Sequence, residues 1–237
     1  MKKSADVAAD PNLPLAAAAH EIKNALGPLA MTLQLAERQL LAGQPVAPDD
    51  LAFARAQVRR LASLVEDLLD QTRADLGDLA FRPREVDLCG VVTEAVEIFR
   101  RGKPAPIVVQ LPSDGGAPLI ASVDVGRMQQ VLVNLLENAV RYSPAGSNVT
   151  VRLARPAPAT ARIEVSDAGP GLSAEEQARI FDRFVRGAAS EGTSGLGLGL
   201  YLCRAIVEQH GGTIGVESAP GAGAAFWIDL RAAPPGR

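Results

Sequence analysis

Asn134-Leu135-Leu136-Glu137-Asn138-Ala139-Val140-Arg141-Tyr142 is the stretch on which the fold turns. Leu132, Leu135, Leu136 and Ala139 recur at helical spacing, which predicts an amphipathic helix over Gly126–Tyr142. Asn134 and Asn138 are four apart and share one face of it. Outward from this helix, β-rich runs precede it at Ile107–Leu111 and Leu119–Val123. Others follow at Val149–Leu153, Arg162–Ser166, Thr213–Glu217 and Ala225–Leu230. Leu88–Arg100 and Leu198–His210 read as two more helices. Pro156–Pro158 is expected as a loop, and Ala219–Gly223 as the turn of a final hairpin. The sum is an α+β sandwich, a mixed sheet with helices on one face.

Further out, towards the N-terminus, the pattern changes. Leu15, Ala19, Ile22, Leu26, Leu29, Leu33, Ala36 and Leu40 alternate steps of four and three, the seam of a bundle helix. Gly43-Gln44-Pro45 breaks it, and Pro48-Asp49-Asp50 offers an acidic start to a second helix. That helix repeats the stripe at Leu51, Ala54, Val58, Leu61, Val65, Leu68 and Thr72. Two helices and a short loop make an antiparallel hairpin whose seam a second copy would bury, so a homodimeric four-helix bundle is expected. The expected organisation is a lead or linker over 1–12, the helical hairpin over 13–78, the sandwich over 79–231 and a flexible tail over 232–237.

The bulk numbers exclude several classes. The 237 residues are 47% hydrophobic, enough for a packed core, and the net charge of −3 gives no footprint for nucleic acid. No run approaches the roughly 18 apolar residues of a membrane span, and the basic N-terminus lacks a signal-peptide core. Cys89 and Cys203 have no metal-type spacing and suit a reducing compartment. A cytoplasmic protein is expected.

Five clusters carry chemistry. His20-Glu21-Ile22-Lys23-Asn24 places an imidazole at the edge of the apolar stripe, with a carboxylate beside it and an amide one turn on. A neutral, accessible ring nitrogen is a nucleophile, Glu21 can fix its tautomer, and Asn24 can hold a water for the reverse, hydrolytic reaction. A plain surface histidine fits the same residues. Asn134 and Asn138 offer carbonyl oxygens that suit Mg²⁺ retaining water and phosphate ligands, with Arg141 for a phosphate and Tyr142 for a base. Capping or solvated asparagines are the alternative. Asp167-Ala168-Gly169-Pro170-Gly171 follows a strand; its carboxylate can accept a hydrogen bond from an exocyclic amine, and its glycines let a ligand approach, although a plain turn has the same composition. In Ile180-Phe181-Asp182-Arg183-Phe184-Val185-Arg186, Phe181 and Phe184 can anchor a segment whose arginines reach phosphates, or can simply be core. Gly195-Leu196-Gly197-Leu198-Gly199 opens a helix, and exposed amides at a helix N-terminus attract anions. It is neither a Walker loop nor a dinucleotide fingerprint.

In order and spacing these clusters resemble the sensor histidine kinase family over about residues 13–231. The resemblance implies a dimerisation and phosphoacceptor hairpin followed by a Bergerat-type ATP-binding domain, with ATP and Mg²⁺ as cofactors. It also implies a homodimer, and an aspartate of a response regulator as the phosphoryl acceptor. By position, His20 resembles the phosphorylated histidine, Glu21 its acidic assistant, and Asn24 the position linked to phosphatase activity. Asn134 and Asn138 resemble the asparagines near Mg²⁺, Arg141 the phosphate contact and Tyr142 the adenine neighbour. Asp167, with Gly169 and Gly171, resembles the adenine-recognising aspartate and its loop. Phe181 and Phe184 resemble the phenylalanine box, with Arg186 beside them as a phosphate-reaching arginine, and Gly195, Gly197 and Gly199, with Leu196 and Leu198 between them, resemble the glycine box that closes the lid. Ala25 replaces a frequent proline, with Pro28 three residues on, and Ala168 stands where asparagine is common. His210 reads as structural.

A Bergerat-fold ATPase that uses hydrolysis for conformational change is the other reading. Such proteins carry a water-activating glutamate where this chain has Asn134, and Glu137 falls on another face.

Overall fold

The computed structural model describes residues 13–75, 80–102, 105–112, 118–185, 187 and 196–234. They fall into two compact units, a helical one and a larger α/β one.

The helical unit is built from α1 (Leu13–Leu41) and α2 (Pro48–Asp75). α1 runs unbroken through Pro28. It ends where Gly43 takes φ +70°. There the Gly43 N–H donates to the Leu40 carbonyl (3.0 Å) and the Gln44 N–H to that of Gln39 (2.8 Å), the paired bonds of a Schellman cap. Pro48 occupies the first helical position of α2, where a missing N–H costs nothing, and Asp49 and Asp50 meet the positive end of the helix dipole. Ala25, Ala36, Ala54 and Leu64 are buried. The rest of the seam splits. Leu26, Leu33 and Leu40, and likewise Leu51, Val58 and Val65, form two exposed rows at seven-residue intervals.

In the α/β unit, β1 (Arg84–Asp87), α3 (Leu88–Gly102), β2 (Ile107–Gln110) and β3 (Ile120–Val123) lead to α4 (Val125–Tyr142). β4 (Val149–Ala157), β5 (Thr160–Asp167), α5 (Ala174–Arg179), α6 (Gly199–Gln209), β6 (Thr213–Ser218) and β7 (Ala224–Arg231) follow. The main sheet has the order β2-β4-β5-β7-β6; β2 and β4 are parallel and the other neighbours antiparallel. Strict alternation buries one face: Val149, Val151 and Leu153; Ala161, Ile163 and Val165; Phe226, Ile228 and Leu230. Leu88, Val92, Val96 and Phe99 of α3, Met128, Leu132, Leu135 and Leu136 of α4, and Cys203, Ile206 and Val207 of α6 complete the core. Each large side chain so buried contributes about 1.5–3 kcal/mol. On the opposite face Arg162 pairs bidentately with Asp229 (2.7 and 2.6 Å) and lies 4.5 Å over the Trp227 ring. That ring in turn covers Gly215, where a Cβ has no room.

Four features depart from the sequence reading. β3, expected in the mixed sheet, pairs with β1 in a two-stranded sheet, tied to the main one by the bridge between Ala121 and Ala232. β1 and α5 were not anticipated. β4 continues through Pro156, expected in a loop; the pairing shifts register between Ala154 and Ala157, an irregularity that tolerates a residue without an N–H. The start of the expected tail is held in place, because the Ala232 N–H donates to Ala159 and the Ala233 N–H to Ile120. Residues 1–12 and 235–237 lie outside the described residues.

Candidate nucleotide site

α4 carries half of the site, and its placement begins at Asp124. The Asp124 carboxylate caps the helix, accepting from the Arg127 N–H (3.2 Å), and also accepts from the Arg82 N–H (2.8 Å). Burial alone would raise its pKa. The backbone N–H groups of Arg82, Arg127 and Gly126 outweigh that and hold it below the usual carboxylate value. The Asp124 N–H donates to His210 Nε2 (2.9 Å), while His210 Nδ1 lies 2.7 Å from the Ile206 carbonyl. Nε2 must therefore be the acceptor and Nδ1 the donor, the neutral imidazole with both nitrogens engaged. Phe81 packs edge-on against the ring at 4.8 Å. His210 thus docks the end of α6 onto the start of α4, in keeping with a structural histidine. The signal for the Asp124 cap in the sequence is an aspartate just ahead of a helical run.

About two turns and one turn before its C-terminus, α4 presents the half-buried Asn134 and Asn138, with Asn138 Nδ2 donating to Asn134 Oδ1 at 3.2 Å. Gly199, the first residue of α6, sits directly on the Asn134 amide; a Cβ there would collide with it. α6 starts without a side-chain cap, since Leu198 at the N-cap makes no such bond. Its N-terminus, with no side-chain cap from Leu198, sets the positive end of a helix dipole beside the asparagine pair. Arg141 is exposed and Tyr142 half-buried at the end of α4.

β5 ends at Asp167, half-buried, with its Oδ1 accepting from the Gly169 N–H at 2.8 Å. Burial pushes this carboxyl above its ordinary value, against hydrogen bonds from the backbone of Gly169 and Ala224. Gly169 is packed against the Tyr142 carbonyl, and Gly171, at φ +72°, against that of Ala219. The phenylalanine box divides in two. Phe181 is core, edge-on to Phe226 at 6.3 Å. Phe184 holds φ +59°, a left-handed backbone rarely adopted by a bulky residue, and its N–H donates to the Gly197 carbonyl (3.0 Å). Gly197, itself at φ +67°, lies against the backbone of Phe184 and Val185. Arg183, expected near phosphate, instead stacks on Tyr201 at 4.7 Å and donates to its hydroxyl. Leu196 and Leu198 are buried.

The glycines therefore act differently from the sequence reading. At Gly169, Gly171, Gly197 and Gly199 the space of a side chain is taken by other parts of the protein, so these residues interlock the motifs with their neighbours. Arg186 and Gly195 lie outside the described residues. In the helical unit the backbones of His20 and Glu21 are helical but their side chains are outside the description, and Asn24 is exposed one turn on.

The amide oxygens of Asn134 and Asn138 are hard donors that could hold a divalent cation together with water or ligand oxygens.

Two family models match the chain. "His Kinase A (phospho-acceptor) domain" covers residues 15–77, and "Histidine kinase-, DNA gyrase B-, and HSP90-like ATPase" covers residues 123–234. The adaptive-response sensory kinase SasA of Synechococcus sp. (strain CC9311) is 37% identical over 216 residues, which are 90% of this chain and 54% of SasA. The chain thus spans about half the length of this curated relative. The solved mycobacterial sensor histidine kinase MprB superposes with a TM-score of 0.58 at 31% identity, over 64% of this chain and 99% of that one. Full-length ShkA in complex with AMPPNP superposes at 0.65 with 26% identity, over 97% of this chain and 47% of ShkA.

Proposed function

The chain belongs to the sensor histidine kinase family, and from that premise we propose that it transfers the γ-phosphoryl of ATP to His20 and then to an aspartate of a response regulator. The hairpin over 13–78 serves as dimerisation and phosphoacceptor domain, and residues 79–231 bind the nucleotide. The packing of Gly199 on Asn134 carries this function, because it sets an uncapped helix N-terminus, suited to phosphate oxygens, against the asparagine pair.

Asp167 accepts the adenine amine, with Gly169 and Gly171 shaping its loop and Tyr142 flanking the base. Asn134 and Asn138 would hold Mg²⁺, which would supply charge neutralisation on the transferred phosphoryl. Arg141, Arg186, Gly195, Leu196, Gly197, Leu198 and Gly199 enclose the phosphates, and Phe181 and Phe184 anchor that enclosure. A nitrogen of neutral His20 attacks the γ-phosphorus in line while the bond to the β-phosphate oxygen breaks and ADP leaves. Glu21 holds the ring and steadies its developing positive charge. Asn134, where an ATPase needs a general-base carboxylate, disfavours transfer to water.

Two exposed apolar rows at heptad spacing support a homodimer through α1 and α2. No helix among the described residues is long and apolar enough to cross a membrane, and Cys89 and Cys203 are unbridged; both features suit a cytoplasmic kinase core.

Incubation with γ-labelled ATP tests the assignment. Wild type should acquire acid-labile label and His20→Ala none; label that persists in the variant sinks it. The exposed amide of Asn24 supports a second activity, removal of phosphate from the regulator. Asn24→Ala should slow dephosphorylation of a phosphorylated regulator while autophosphorylation continues; an unchanged dephosphorylation rate removes that role.

A further inference from the structure

The turn between β6 and β7 is fastened to the loop after Asp167 by a dense set of bonds. Ser218, the last residue of β6, donates its hydroxyl proton to the Gly223 carbonyl (2.6 Å) and accepts from the Leu172 N–H (2.8 Å). Gln177 of α5 donates through Nε2 to the carbonyls of Leu172 (3.1 Å) and Ser218 (2.9 Å). The Gly221 N–H donates to Pro170 (2.6 Å). Contact closes the remaining space: Gly171 rests on the Ala219 carbonyl, and Gly223, at φ +76°, on that of Asp167. In register, Ala224 faces Ser218 on one side and Asp167 on the other.

A Gly-Pro-Gly loop has few side chains with which to hold itself, so its conformation must be imposed from outside. Ser218 suits that task because one hydroxyl donates and accepts at once. Alanine there removes both bonds and strands a half-buried N–H and carbonyl. We propose that Ser218, backed by Gln177, is a positioning residue for nucleotide recognition: it clamps the 168–172 loop to the β6–β7 turn and so aims the Asp167 carboxylate at the amine of the base. The clamp rests on the role of Asp167 proposed above. Its action is directional, so its loss should be felt by a purine that donates to Asp167 and not by one that presents a carbonyl there.

Calorimetric titration of the full chain with ADP and with GDP tests this, on wild type, Ser218→Ala, Ser218→Thr, Gln177→Ala and Asp167→Asn. Ser218→Ala should weaken ADP about tenfold and leave GDP unchanged, and should raise the KM for ATP with kcat retained. Ser218→Thr, which keeps the hydroxyl, should restore ADP binding, and Gln177→Ala should narrow the ADP preference to a lesser degree. Unchanged ADP affinity in Ser218→Ala, equal losses for ADP and GDP, or no rescue by threonine each overturn the clamp. Should Ser218→Ala fail to fold, Gln177→Ala decides: a narrowed preference supports the clamp and an unchanged one overturns it. Asp167→Asn separates the two layers. A preference for ADP that survives this variant removes the base-reading role of Asp167 and the clamp with it. A preference lost in Asp167→Asn but intact in Ser218→Ala removes the clamp alone.

Discussion

Asp167 is under two opposed demands. The hydrogen bond proposed from the base is strongest to the ionised carboxylate, while burial favours the neutral acid. Nucleotide affinity should therefore rise with pH through a window above the ordinary aspartate range near pH 4, and Asp167→Asn should bind weakly with that limb flattened; titrations across acid pH check it. The stability term has the opposite sign. A raised folded-state pKa gives stability that is present below the unfolded pKa and lost as pH rises through the folded value. Asp167→Asn, which can keep the bond from the Gly169 N–H, should accordingly unfold at a higher temperature than wild type at neutral pH. The residue types of the site were legible in the sequence: Asn134 and Asn138 do share a face, and Gly199 does open a helix. The partners of the glycines were not legible. A glycine signals that a side chain would not fit, without saying whether a ligand or a neighbouring loop fills the space.

Among the elements, α4 depends on its first turn. Asp124→Ala removes the cap of α4 and the acceptor for the Arg82 N–H, at a cost of about 0.5–2 kcal/mol in unfolding free energy at neutral pH. Its depressed pKa means that this stability is present above the unfolded-state value and lost as pH falls through the folded one. The gap between variant and wild type in denaturant unfolding should therefore close in acid. The strands with alternating apolar residues, such as Val149-Thr150-Val151-Arg152-Leu153, were legible because alternation is a local signal. β1, Arg-Glu-Val-Asp, has one apolar residue and owes its order to pairing with β3. α5 is short and charged, yet it carried an overlooked start signal: Ser173 and Glu176 form a capping box.

At the scale of the whole molecule, the exposed rows of α1 and α2 are the surface through which the proposed dimer would form. Leu33 is 50% and Val58 54% exposed, at the centres of their rows. Leu33→Glu with Val58→Glu should shift the protein to monomer in sedimentation velocity while leaving ADP binding intact; a persistent dimer would show that another surface holds the copies together. The change in periodicity between the halves was legible because heptads and alternation leave different sequence spacings, whereas the pairing of β3 with β1 depends on distant chain and leaves none. The chain has one tryptophan, Trp227, stacked beneath Arg162 over Gly215 on the outer face of the main sheet. Intrinsic fluorescence is thus a private signal of the α/β unit, while far-ultraviolet circular dichroism is weighted by the two long helices. Melting curves from the two signals will separate if the units unfold independently and coincide if they unfold as one.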